Sequence, residues 1–165
     1  MPGATFEIAL EDREPGPAGA DAVEFRIATN PGVPAGPVRD IASGGEASRV
    51  MLALLGVAND GRAETTLVFD EIDAGIGGHT ARAVGEHLRA LSAGRQILCI
   101  THLPQVAALA DRHFTIVKDG SVTPATTTVS ALDGDAVVSE LVRMLGGGSE
   151  DRAANEHARE LLRAA

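Results

Sequence analysis

The sequence predicts an α/β domain, a mainly parallel sheet flanked by helices with β-hairpins added to it. Two observations carry that expectation. Residues 66–69 and 96–101 are nearly continuous apolar runs, the pattern of parallel strands covered on both faces. Between them, Ala81, Val84, Leu88 and Leu91 set one apolar stripe on a helix over residues 79–91, which makes the segment a βαβ crossover with parallel strands. The length of 165 residues, with 44% hydrophobic residues, fits a single domain able to bury a core. Within it, residues 1–40 form a hairpin and linker, 41–110 the core that carries the candidate site, and 111–165 a second hairpin and the C-terminal helices.

The remaining elements follow in order. Residues 5–10 and 22–29 are strand-like and joined by the Pro/Gly/Ala-rich segment 14–20, so they predict an antiparallel hairpin. Residues 30–38 hold three prolines and two glycines and are expected to be irregular. A helix then starts near Gly45; Val50, Met51, Leu54, Leu55 and Ala58 make it apolar around much of its circumference, and it is expected to be buried. After the crossover, a short helix over 104–110 precedes strands 113–118 and 121–129, which turn at Asp119-Gly120. Val137, Val138, Leu141, Val142 and Leu145 mark an amphipathic helix, stopped by Gly146-Gly147-Gly148, and Ser149 is the expected cap of a last helix.

Composition narrows the function classes. A formal net charge of -9 argues against this chain as the main nucleic-acid surface, because duplex binding depends on neutralising phosphates with cations. Four Phe with no Trp or Tyr leave no stacking platform for single strands. No apolar run approaches the roughly 20 residues of a membrane span, and the N-terminus lacks a signal-peptide layout, so a cytoplasmic location without a membrane partner is expected. Cys99, the lone cysteine, sits in an apolar run and reads as a core thiol. His79, His87, His113 and His157 show no metal-ligand spacing and read as surface or packing residues.

Three short segments carry chemistry. Ser43-Gly44-Gly45-Glu46 has the form of a capping box, and its paired glycines also give the bare helix N-terminus that an anion approaches. Ile41 stands where a nucleophile elbow needs glycine, which disfavours a serine hydrolase. Asp70 and Glu71 end an apolar strand. Acids entering a polar loop are one explanation; the other is a Walker B pair, with Asp70 serving magnesium and Glu71 orienting or deprotonating water. His102, at the end of the second parallel strand, either caps a turn or joins Asp70 and Glu71 on the carboxyl edge of the sheet, where open α/β sheets bind ligands. Residues 75–80 begin like a dinucleotide fingerprint but end in Thr80, and they read as a tight loop after an exposed Asp73 available to a partner.

The order of these segments resembles the C-terminal lobe of an ABC/SMC-type P-loop ATPase head. Glu46 after the paired glycines and Ile72 after the acid pair depart from the Gln and Pro usual in transporters. With residues 41–55, 69–76, 99–107 and 144–147, they make the chain similar to the RecN family of SMC-like bacterial DNA repair proteins. That resemblance implies ATP and Mg2+ as cofactors. It implies that Ser43, Gly44 and Gly45, with Glu46 completing the signature, contact the γ-phosphate of ATP held by a facing head. Asp70 serves the metal, Glu71 is the catalytic base, His102 senses the γ-phosphate, and Asp73 communicates across the head dimer.

The implied partners are the P-loop N-terminal lobe of the same head, a second head in a homodimer, and DNA contacted through the full-length protein, with nucleoid association during repair of double-strand breaks. Lys118, the sole lysine, is followed by the expected turn at Asp119-Gly120 and does not lie in a glycine-rich loop. A Walker A loop and coiled-coil arms are missing from the sequence, so Met1 is expected to match an internal family position. The isolated chain is expected to be inactive and to carry an open sheet edge where that lobe docks. A non-catalytic head module for dimerisation or regulation, and a fragment of a transporter nucleotide-binding domain, are the alternatives.

Overall fold

The computed structural model describes residues 3–17, 19–40, 44–58, 65–121 and 124–165. The chain opens with an antiparallel hairpin of β1 (Thr5–Gly16) and β2 (Gly19–Ala28), as expected, followed by the two-residue strand β3 (Gly36–Pro37) on the outer side of β2 and a 3-10 turn at Val38–Asp40. The hairpin is longer than expected, because pairing continues through the Pro/Gly-rich segment to Gly16 opposite Gly19, past a register shift after Asp12. Its register puts Phe6 opposite Ile27, Ile8 opposite Phe25 and Leu10 opposite Val23 on one face. Only the Ile27 end of that apolar face is buried.

The centre holds α1 (Gly44–Val57), β4 (Thr66–Phe69), α2 (Gly78–Leu91) and β5 (Gln96–Cys99). β4 and β5 are adjacent and parallel, in register from Thr66 opposite Gln96 to Phe69 opposite Cys99, which is the predicted crossover. Ala81, Val84, Leu88 and Leu91 are all buried, and with Leu52, Phe69, Ile72 and Val106 they form the main core. The short α3 (Pro104–Ala107) leads to a second antiparallel hairpin, β6 (His113–Asp119) with β7 (Thr126–Leu132). A second core joins α4 (Gly134–Met144) and α5 (Arg152–Arg163) to Ala108.

Several expectations are corrected. Parallel pairing among the described residues is confined to β4 and β5, and this pair is covered on one face only. Leu67, Phe69, Ile97 and Cys99 meet the core, whereas Val68, Leu98 and Ile100 remain 63%, 45% and 51% exposed. The alternation is that of a half-covered sheet, because α1 and α2 both pack on the same side. Along α1, Leu52 and the half-buried Leu55 face this core and Val50 is buried on the nearly opposite side, while Met51 and Val57 remain in solvent. The β6–β7 connection runs from Asp119 to Thr126, longer than a turn at Asp119-Gly120 alone. Asp151, not Ser149, caps α5 through a 3.0 Å bond accepted from the Ala154 amide.

Candidate functional site

The parallel register creates the site. β4 delivers Asp70 and Glu71 to the carboxyl edge of the sheet, and the Ile100 amide, bonded to Phe69 O at 2.9 Å, carries the ladder one step further before Thr101 and His102 leave the same edge. Ile72 is fully buried and pins the loop to the core between the exposed pair Asp70 and Glu71 and the buried Asp73. A turn closed by Ala74 N to Glu71 O at 3.0 Å follows. Within it Glu71 has φ +55°, the one non-glycine residue in the left-handed region among the described residues. That backbone costs about 1–2 kcal/mol for an L residue, so its side chain is aimed at the expense of local strain.

The start of α1 grips this loop. The Ser48 hydroxyl donates to Asp70 O at 3.2 Å, and Arg49 Nη1 donates to Ile72 O at 3.0 Å and to Ala74 O at 2.9 Å. Gly45 is buried against the same turn; a β-carbon there would stand 2.8 Å from both Ala74 Cβ and Glu71 O. Gly44 is exposed, and a β-carbon on it would come within 3.1 Å of Glu71 Oε2. The outer glycine therefore leaves open backbone beside the Glu71 carboxylate, while the inner one permits close packing. Glu46 is half-buried in the first turn of α1. Ser43, and with it the Ser43–Glu46 capping box, lies outside the described residues.

Asp73 corrects an expectation. It is 2% exposed rather than open to a partner, and its Oδ2 accepts from the Thr101 hydroxyl at 2.5 Å and from the His102 amide at 2.8 Å. The same oxygen stands 3.0 Å from His102 Nδ1. A carboxylate enclosed in this way has no surface to offer a second head. Burial by itself pushes its pKa up, but the Thr101 hydroxyl, the His102 amide and the His102 ring together outweigh that effect and hold it below the usual value. Thr101 also accepts from the Leu103 amide at 3.0 Å, which ties the dyad into the start of α3.

Sequence reasoning assigned no role to Ser48, Arg49 or Thr101. The available signal was a serine and an arginine one turn into an otherwise apolar helix, since a cation at such a position must find acceptors. Cys99 is the core thiol expected: burial first, then the Asp73 and Asp70 charges, push its pKa to about 12. The part-buried His113 has Nε2 2.8 Å from Ala107 O, a packing role, whereas the exposed His87 has Nδ1 3.0 Å from Ala83 O on the surface of α2.

Among the described residues no three His, Cys, Asp or Glu side chains are grouped to hold a metal ion. Asp70 is exposed at the strand end, so the donor set fits one carboxylate of a shared magnesium site and not a self-sufficient cage. No described helix is long and apolar enough to cross a membrane.

This is the fold of an SMC-type ATPase head. Superposition on the Smc head domain with coiled coil from Pyrococcus yayanosii gives a TM-score of 0.58 at 23% identity, covering 82% of this chain and 25% of that one. A structure from work on ATP-driven dimerization and DNA-stimulated activation of SMC ATPases gives 0.55 at 21% identity, covering 87% of this chain and 83% of that one.

By sequence, the chain is RecN-like over nearly its whole length. It is 52% identical to the DNA repair protein RecN of Treponema pallidum (strain Nichols) over 149 residues, which is 90% of this chain and 26% of that protein. It is 48% identical to RecN of Streptomyces coelicolor across 91% of its length and 26% of that protein, and 42% identical to RecN of Halalkalibacterium halodurans across 98% and 30%. The chain thus spans between a quarter and a third of the length of these relatives. No family model matches the sequence.

Proposed function

We propose that the chain is the C-terminal lobe of a RecN-like ATPase head acting in recombinational repair of DNA double-strand breaks, and that it works only when joined to a lobe bearing the Walker A lysine. The observation that carries this is the shared rim. The Glu71 carboxylate beside the exposed backbone of Gly44, the exposed Asp70, and His102 held by Asp73 all lie at the carboxyl edge of β4 and β5. ATP supplies the phosphoryl bond to be broken, and magnesium neutralises its charge when bound.

On this proposal Glu71 takes the proton of the attacking water, and its strained backbone holds the carboxylate in place for that task. Asp70 contributes one oxygen toward the metal. Gly44 and Gly45, with Ser43 and Glu46, present the positive end of α1 to the γ-phosphate of a nucleotide on a facing head. His102 meets a γ-phosphate oxygen at the same edge.

The bare face of Val68, Leu98 and Ile100 supports docking against the P-loop lobe, and the net charge of -9 supports placing the main DNA contact elsewhere in the full-length protein. Relatives named as DNA repair proteins, and a neighbour described in terms of ATP-driven dimerization, favour repair and pairing of two heads as the setting.

The test is Glu71→Gln in a head reconstituted with the P-loop lobe. Hydrolysis is expected to fall by about 10²–10⁴-fold, the range of a lost general base, while ATP binding persists. The isolated chain is expected to show negligible turnover. Unchanged hydrolysis in the Gln variant overturns the assignment.

A further inference from the structure

We propose that Asp73 is a positioning residue for His102, with Thr101 as its tie, so that imidazole Nδ1 is committed to the carboxylate and Nε2 is the nitrogen left for a phosphoryl oxygen. The geometry is a two-point hold. Asp73 Oδ2 binds the His102 amide at 2.8 Å and lies 3.0 Å from the ring nitrogen of the same residue, fixing backbone and ring together. The Thr101 hydroxyl, at 2.5 Å from that oxygen, anchors it, and Thr101 is itself anchored by the Leu103 amide at 3.0 Å. The contrast in exposure matters: Asp73 is almost fully enclosed, whereas the His102 side chain is 69% exposed. The buried member holds; the exposed member reaches.

An ionised carboxylate only accepts hydrogen bonds, so Nδ1 must carry the proton. The uncharged ring then presents a lone pair at Nε2. It meets an anionic oxygen only as the doubly protonated cation, for which Asp73 is the counter-ion already in place. A plain structural role for Asp73, joining the loop after β4 to the loop after β5, requires its bonds to Thr101 and to the His102 amide but sets no tautomer.

Long-range proton–nitrogen NMR of the histidine-labelled chain separates the two, at a pH where the imidazole is uncharged. His102 is expected to show a protonated Nδ1 and an unprotonated Nε2. Asp73→Ala is expected to release the ring to a mixture of tautomers. Thr101→Val is expected to shift it the same way, and Thr101→Ser to restore the wild-type pattern. If Asp73→Ala does not fold, the wild-type spectrum and the two Thr101 variants decide. A protonated Nε2 in the wild type, or a pattern unmoved by Thr101→Val, overturns the proposal.

The consequence for hydrolysis rests on the ATPase proposal. In the reconstituted head, Asp73→Ala is expected to lower kcat by about 10- to 100-fold, the scale seen when the support of a functional imidazole is removed, with KM nearly constant. An unchanged kcat removes the positioning role. The two proposals fail separately. Normal turnover of Glu71→Gln refutes the ATPase assignment and leaves the tautomer result standing, whereas an inert Glu71→Gln with the wrong tautomer refutes the Asp73 assignment alone.

Discussion

Replacing Arg49 by methionine tests whether α1 holds the rim in shape. The change removes a guanidinium nitrogen that binds two loop carbonyls, Ile72 O at 3.0 Å and Ala74 O at 2.9 Å. A hydrogen bond from a charged donor contributes about 1.5–3 kcal/mol, so the pair sets an upper bound of about 6 kcal/mol. Two effects reduce it. The site is part-buried, so water replaces some of what is lost. Arg49 Nε is also buried without a partner, a cost of about 1–3 kcal/mol that disappears with the side chain. Methionine retains most of the stem packing. The expected net loss is about 2–3 kcal/mol, and with a urea slope of about 2 kcal/mol per molar the midpoint falls by about 1–1.5 M. Far-UV circular dichroism is the probe, because the chain has no Trp or Tyr. Arg49→Lys restores a cation but not the planar fork, and its midpoint is expected between the other two. A fall of less than about 0.3 M for the methionine variant, with the slope unchanged, refutes the claim that this residue braces the loop.

Two further outcomes follow from the rim. Glu71→Gly relieves a left-handed backbone worth about 1–2 kcal/mol and adds about 0.5–1 kcal/mol of unfolded-state entropy, so it is expected to raise the melting temperature by about 1–4 °C. Glu71→Gln keeps the strain and is expected to melt with the wild type; a glycine variant that melts lower shows that the position stores no strain. Acid titration tests Asp73. Its folded pKa is lowered, so its contribution is complete above the unfolded value near 3.8 and is lost as pH falls through the folded one. Asp119 and Glu140, lowered by Ser121 and Arg143 respectively, act in the same window. Asp73→Asn is therefore expected to flatten the fall in urea midpoint below about pH 4 without abolishing it, and an identical slope in both proteins contradicts the carboxylate's role.

What was legible in the sequence is what periodicity encodes. The stripe of Ala81, Val84, Leu88 and Leu91, the two parallel strands and the rim they share could be read because a helix repeat and a strand run each fix a face. The apolar run of residues 66–69 misled in one respect, since unbroken hydrophobicity says that both faces avoid water without saying what covers them. Asp73 could not be placed from sequence. Two residues after Glu71 in a polar-looking loop, its burial depends on Ile72 plugging the core and on Thr101 arriving from a strand that is distant in sequence. Arg49 was hidden for a related reason: its partners are backbone carbonyls, which every sequence contains.

The exposed apolar surface connects this fold to its proposed setting. Val68, Leu98 and Ile100 lie on the uncovered side of the parallel pair, Ile8, Leu10 and Phe25 on the face of the first hairpin, and Met51 and Val57 at two exposed positions of α1. Full burial of an exposed side chain contributes about 1.5–3 kcal/mol, and most of these are already about half covered, so covering half of them adds about 3–7 kcal/mol, a sizeable fraction of the about 5–15 kcal/mol that stabilises an ordinary domain. In the proposed head, binding the P-loop lobe and stabilising this lobe are therefore one linked equilibrium. The site residues do not wait for that cover. Arg49 and Ser48 grip the loop of Asp70 and Glu71, and Asp73 grips His102, through bonds made wholly within this chain. On that proposal, the described part of the site is preorganised, and the joining lobe has only to bring a nucleotide to this rim.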